Sequence, residues 1–162
     1  MAEGLERMGR LYIPLPAEAL GWARDRLAED RRGRVLDHTA LDGFVCGSKL
    51  TRAMIHMALV EDVPLVIPAS ALMIGWSRRG SSYEITALKT VLSLPVVEVE
   101  PLDETSAYHS ARLPAIRDDH LTDFAIAHVV HVARVRGWRV LSTNAGDIRR
   151  MARDVGVDEG EG

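Results

Sequence analysis

Asp37, Asp123 and Asp147 are the residues of this sequence whose types and surroundings best suit a shared chemistry. Asp37 closes a short apolar run, Arg34-Val35-Leu36-Asp37-His38. Asp123 falls in the first turn of a long helical stretch, and Asp147 follows a second apolar run, Trp138 to Ser142. Carboxylates crowded into one small volume repel and raise one another's pKa values. A divalent cation relieves that repulsion. Mg²⁺ and Mn²⁺ favour oxygen ligands, and Mg²⁺ typically takes one or two carboxylates together with water and substrate phosphate. An ion so held can generate hydroxide and stabilise charge on a phosphate during in-line displacement. Each acid also has an ordinary role open to it. Asp123 and Asp147 could simply favour the positive end of a helix dipole, and Asp37 could cap a turn or helix.

Convergence of the three acids depends on the elements that carry them. Residues 1–33 read as an N-terminal extension with one helix from Ala17 to Arg31, ended by Gly33 as C-cap. A buried strand over 34–38 follows, then a helical turn or two up to Gly47 and a helix from Ser48 to Glu61. Pro64 to Pro68 suits a second strand, with helices over 69–79 and 82–92, the latter capped by Ser82. Pro95 to Glu100 is β-branched and reads as a third strand, before a helix over 103–113. Asp119 caps a long helix to Arg136, closed by Gly137. A fourth strand spans 138–142 and a last helix 147–155. The chain is expected to fray from Asp158 onward, leaving 34–158 as the domain and 159–162 as a flexible acidic tail. Strands alternating with helices predict an α/β, three-layer fold, with a central, mostly parallel sheet of four to five short strands flanked by helices. In such sheets the site lies beyond the carboxyl ends of the strands, where Asp37 and Asp147 both stand.

Composition narrows the function classes. The 162 residues fit one domain. A single cysteine, Cys46, excludes an intramolecular disulfide and any zinc site built on several cysteines, and it suits a cytoplasmic protein. The polar, charged stretch Met1 to Arg10 is unlike a signal peptide, and no apolar run approaches the roughly 20 residues of a membrane span. A net charge of −3 speaks against a strongly basic nucleic-acid coat. It leaves room for an acidic pocket with a local basic rim.

Five segments, in order, resemble the PIN-domain family. Val35-Leu36-Asp37-His38-Thr39-Ala40-Leu41 is similar to its opening strand, and Val66-Ile67-Pro68-Ala69-Ser70-Ala71-Leu72 to its second strand and following helix. Val97 to Asp103 resembles the strand that leads to the next helix. Leu121-Thr122-Asp123-Phe124-Ala125-Ile126-Ala127 resembles the Asp-x-x-Ile-Ala helix start. Val140 to Ile148 resembles the closing strand with its Thr-x-Asn-x-x-Asp variant, the Thr being displaced. The resemblance is to the VapC-like branch, commonly toxins of toxin–antitoxin pairs. It implies a metal-dependent endoribonuclease using Mg²⁺ or Mn²⁺, an RNA substrate, a small antitoxin partner and a homodimer. It makes Asp37, Asp123 and Asp147 the catalytic and metal-pocket acids and Asn144 a polar neighbour. One departure stands out. The Glu that the family places in the helix after the second strand falls here at or next to Gly75. Asp42 and Asp119 are candidates to compensate, and Glu84 lies too far along. The competing reading is a catalytically degenerate PIN-like domain that binds RNA or a protein.

Other polar residues are weighed against plainer roles. Arg78 and Arg79 are candidates for RNA phosphate contacts at the pocket rim, as are Arg149 and Arg150, while Arg153 reads as part of a solvated helix face. His128 and His131 share a helix face but have no third ligand nearby. On a strand, His38 would point away from Asp37. Trp76 and Phe44 could stack on bases but suit the core. A receiver-like phosphotransfer domain is set aside, because the third strand ends Val99-Glu100-Pro101-Leu102-Asp103 and no suitable Lys follows.

Overall fold

The computed structural model describes residues 14–117 and 120–160. Asp119, expected to cap the long helix, lies outside the described residues. The elements run α1 (Ala17–Glu29), β1 (Arg34–Leu36), α2 (His38–Cys46), α3 (Lys49–Val60), β2 (Leu65–Pro68), α4 (Ala69–Ser77) and α5 (Ser82–Leu92). They continue β3 (Val97–Glu100), α6 (Glu104–Ala111), α7 (Leu121–Arg136), β4 (Arg139–Ser142), α8 (Ala145–Met151) and β5 (Val157–Glu159). The strands form one parallel sheet in the order β3-β2-β1-β4-β5.

Side-chain alternation along the strands builds the three layers. Leu36, Leu65, Ile67 and Leu141 point to one face and pack with α1, α2, α3 and α5. Val35, Val66 and Val140 point to the other and pack with α7 and α8. With both faces covered, β1 and β2 are buried along their whole length, which is why they read as continuous apolar runs. Helix α1 belongs to the first layer: Ala19, Ala23 and Leu27 are at most 1% exposed and join its core. No helix among the described residues is long and apolar enough to cross a membrane.

Local signals set most boundaries. Ser48 caps α3 through Thr51 N–H, and Gly137 ends α7 in the left-handed conformation at φ 65° that favours glycine. Two caps differ from expectation. Ser81, not Ser82, caps α5, because Glu84 reaches back to it in a capping box. Helix α1 stops at Glu29, and Gly33 serves a different purpose. At φ 146° it lies against the Trp138 ring, where a Cβ would come within 2.7 Å of three ring carbons.

The largest difference lies at the C-terminal end. Asp158 and Glu159, expected to fray, belong instead to strand β5, while residues 161 and 162 of that stretch lie outside the described residues. Asp158 is 1% exposed and accepts from Arg34 Nε at 2.5 Å and from Arg139 Nε at 2.9 Å. The Arg34 guanidinium is itself fully buried. Its other nitrogens donate to the carbonyls of Asp30, Gly33 and Arg26. One buried ion pair therefore ties the last strand to the first and to the loop after α1. Composition alone made this acidic, glycine-flanked stretch look like a tail.

Candidate acidic pocket

Strand order reverses at β1, which has β2 on one side and β4 on the other. In an open parallel sheet that reversal leaves a crevice beyond the carboxyl ends of the two central strands. Asp37 stands at the end of β1, and Ser142 to Asn144 stand at the end of β4.

Asp37 is the N-cap of α2 and is 1% exposed. Its Oδ1 accepts from Ala40 N–H at 2.8 Å and from Thr39 Oγ at 2.7 Å. Its Oδ2 accepts from Ser142 Oγ at 2.7 Å. Ser142 Oγ in turn accepts from Asn144 N–H at 3.0 Å, so hydroxyls lace the two strand ends together. Burial pushes the Asp37 carboxyl up, against the lowering by Ser142, Ala40, His38 and Thr39. His38 opens α2 and does not continue the strand. It is buried, its Nδ1 has no hydrogen-bond partner among the described residues, and burial holds its pKa down. The charges of Asp37, Arg78 and Asp147 all reach its ring, so it belongs to this neighbourhood.

Asp123 is completely buried in the first turn of α7. Arg117 donates to it three times: its backbone N–H at 3.0 Å and its Nε at 2.9 Å to Oδ2, and its Nη2 at 3.1 Å to Oδ1. Arg150 Nη2 adds a bond to Oδ1 at 2.7 Å. Arg117, outweighing the cost of burial, holds this carboxyl far below the usual range, and Arg150 adds to it. Asp147 is half-exposed. Asn144 Nδ2 donates to its Oδ2 at 2.8 Å, and Arg150 Nη2 lies 3.8 Å from its Oδ1. Arg150 thus brings Asp123 and Asp147 together on one guanidinium. Ser142, Arg117 and Arg150 were not singled out as partners of the acids. The displaced Thr was the available signal for Ser142, since a hydroxyl is needed at that strand end and the serine supplies it.

The remaining candidates pair with one another or with other groups. Asp42 pairs with both Arg78 and Arg79, and Arg79 Nε also donates to the Gly75 carbonyl at 2.8 Å. The two arginines proposed for phosphate are therefore engaged at the end of α4. Gly75 is buried, and a Cβ there would meet Leu41 Cδ1 at 3.0 Å and Leu88 Cδ2 at 3.9 Å. The position faces apolar side chains of α2 and α5. His128 is buried against Ser70, with 2.9 Å between Nδ1 and Oγ, and His131 stacks on His109.

The donor set can be tested against a divalent cation. Both oxygens of Asp37 and both of Asp123 are already bonded, and the partners of Asp123 are cations. Asp147 alone keeps a half-exposed carboxylate. No group of three His, Cys, Asp or Glu side chains among the described residues is arranged to hold a metal ion. As folded, guanidinium neutralises Asp123 and approaches Asp147, and no three-carboxylate set for Mg²⁺ is arranged among the described residues.

Comparison with protein-family models and with curated proteins gives no match for this chain.

The two buried acids predict opposite pH behaviour. The stability contributed by Asp123 is fully present above the unfolded pKa of about 3.9 and is lost as pH falls toward its depressed folded value. That contributed by Asp37 is present below the same unfolded value and is lost as pH rises through its raised folded value. Urea unfolding should therefore find Asp37→Asn more stable than wild type at pH 7, with the gap closing at pH 3. Asp123→Asn should be less stable at pH 7 and should lose less on acidification than wild type does. Parallel pH profiles for all three proteins would contradict both assignments.

Proposed function

We propose that this chain is a PIN-like domain that binds RNA beside the β1–β4 crevice and whose cutting centre is held closed by its own arginines. The observation that carries this reading is the Arg117–Asp123–Arg150 cluster. In a metal-dependent nuclease, Asp123 would be a ligand. Here four hydrogen bonds from two arginines saturate it. Gly75 supports the same reading, since it offers no carboxylate and faces Leu41. The five ordered segments support descent from a nuclease fold, and the sheet order and the place of Asp37 agree with them.

The reading is tested by Mn²⁺ binding, followed by electron paramagnetic resonance. Wild type should leave Mn²⁺ free in solution. Arg117→Ala/Arg150→Ala, which uncovers Asp123 beside Asp147, should bind it measurably. Tight binding by wild type would show that the arginines yield to the ion and that the pocket is open.

A second reading is the full endoribonuclease, the toxin of a pair, cytoplasmic and acting with Mg²⁺ or Mn²⁺. The half-exposed carboxylate of Asp147, held by Asn144 and only loosely approached by Arg150, favours it. In that case a small antitoxin protein would restrain the enzyme, and a homodimer would be its working form. The reading requires RNA cleavage that depends on Asp37 and Asp123.

A further inference from the structure

Arg149, Arg150 and Arg153 line one side of a cleft of about 750 Å³ between α8 and β5, with Gly146, Gly156 and Val157 among its other walls. Arg149 and Arg150 stand in the last turn of α8, and Arg153 stands in the turn that follows Ala152, where the chain has left the helix. Their internal commitments differ. Arg150 faces the cleft while bonding Asp123 and the Ala115 carbonyl. Arg149 has one exposed contact, with Glu159 at 3.3 Å, and the two side chains are 58% and 47% exposed. An ion pair that open is worth little, so a stronger anion can replace it. Arg153 is exposed and makes no ion pair among the described residues.

We infer that this cleft is the seat of the RNA phosphate backbone, with Arg149 and Arg153 as its phosphate contacts. The inference rests on the RNA-binding reading and moves the contact surface from Arg78 and Arg79, which Asp42 holds, to α8 and the turn after it. Guanidinium groups match phosphate oxygens as two-pronged donors. Two of them lining one cleft can hold phosphates of a single strand. Gly146 leaves the floor open, since a Cβ there would meet only Asn144 Oδ1, at 3.5 Å. Val155 and Val157 add an apolar wall for sugar or base. Arg150 links the cleft to the acidic pocket, since it lines the one and reaches the buried Asp123 and the half-exposed Asp147 of the other.

The test is fluorescence anisotropy with a labelled single-stranded RNA 12-mer over a range of salt. Arg149→Ala/Arg153→Ala is compared with a charge-matched control, Arg24→Ala/Lys89→Ala. The control residues are exposed on α1 and α5, in the opposite layer. The cleft variant should lose at least about tenfold in affinity. The slope of log affinity against log salt should fall by about 1.4, or about 0.7 for each single-strand phosphate contact removed. The control should follow wild type. Equal losses in cleft variant and control would reduce the effect to net charge and overturn the cleft. Unchanged binding in the cleft variant would overturn it too, while leaving RNA binding intact. Failure of wild type to bind RNA at all would remove both the cleft and the RNA-binding reading.

Discussion

Asp158→Ala will lower the unfolding free energy by about 3–5 kcal/mol, the usual cost of removing one partner of a buried ion pair. The Arg34 guanidinium is fully buried, and Asp158 is the one carboxylate bonded to it among the described residues. Three backbone carbonyls satisfy its remaining donors but bring no negative charge. Without Asp158 a cation stays in the core, and β5 loses the side chain that joins it to β1 and β4. Most of the cost is that stranded charge. An Arg34→Met/Asp158→Leu double variant, which removes both charges and keeps the volume, should therefore recover much of the loss. Glu159→Ala, one residue away, breaks the exposed contact with Arg149 and a long bond from Ala145 N–H at 3.4 Å and should cost under about 1 kcal/mol. Urea unfolding of the four proteins decides the matter. A loss below about 1 kcal/mol for Asp158→Ala would mean that β5 is a frayed tail after all.

Gly75→Glu will fail to create a working pocket and will destabilise the fold by about 3 kcal/mol or more. The sequence invites this substitution, because the family's missing acid falls at or beside Gly75. The structure faces the position to Leu41 and Leu88. The first atom of any side chain there comes 3.0 Å from Leu41 Cδ1, with Leu88 beyond it. A carboxylate placed on that line would be overpacked against Leu41 and Leu88. Gly75→Ala separates the two costs. Alanine gains about 1 kcal/mol of helix propensity over glycine, and the Leu41 contact opposes it, so its net effect should be small. Thermal unfolding of both variants gives the comparison. A Gly75→Glu protein as stable as wild type would show that the new side chain finds an exit toward solvent or the pocket.

Much of the architecture was legible because it depends on local patterns. Continuous apolar runs at Val35, Val66 and Val140 marked strands covered on both faces, and Ser48, Gly47 and Gly137 marked helix ends. Asp37 and the segment after β4 were placed at the sheet's carboxyl edge by topology alone. What was not legible depends on partners distant in sequence. Asp158 reads as a tail acid until Arg34, 124 residues earlier, is seen beside it. Arg150 reads as a candidate phosphate contact until α7 brings Asp123 against it. Asp42 was a candidate for the missing acid, yet its partners are the arginines themselves expected at the phosphates. Sequence gave the order of the charged residues along the chain. Which cation would claim which acid was decided in three dimensions.

Incubating purified wild-type protein with single-stranded RNA in Mg²⁺ or Mn²⁺, while following binding and strand length together, addresses the central claim most directly. The closed pocket predicts that RNA is bound and stays whole, in wild type as in Asp37→Asn and Asp123→Asn. Metal-dependent cleavage by wild type that disappears in both variants would contradict it and establish the nuclease.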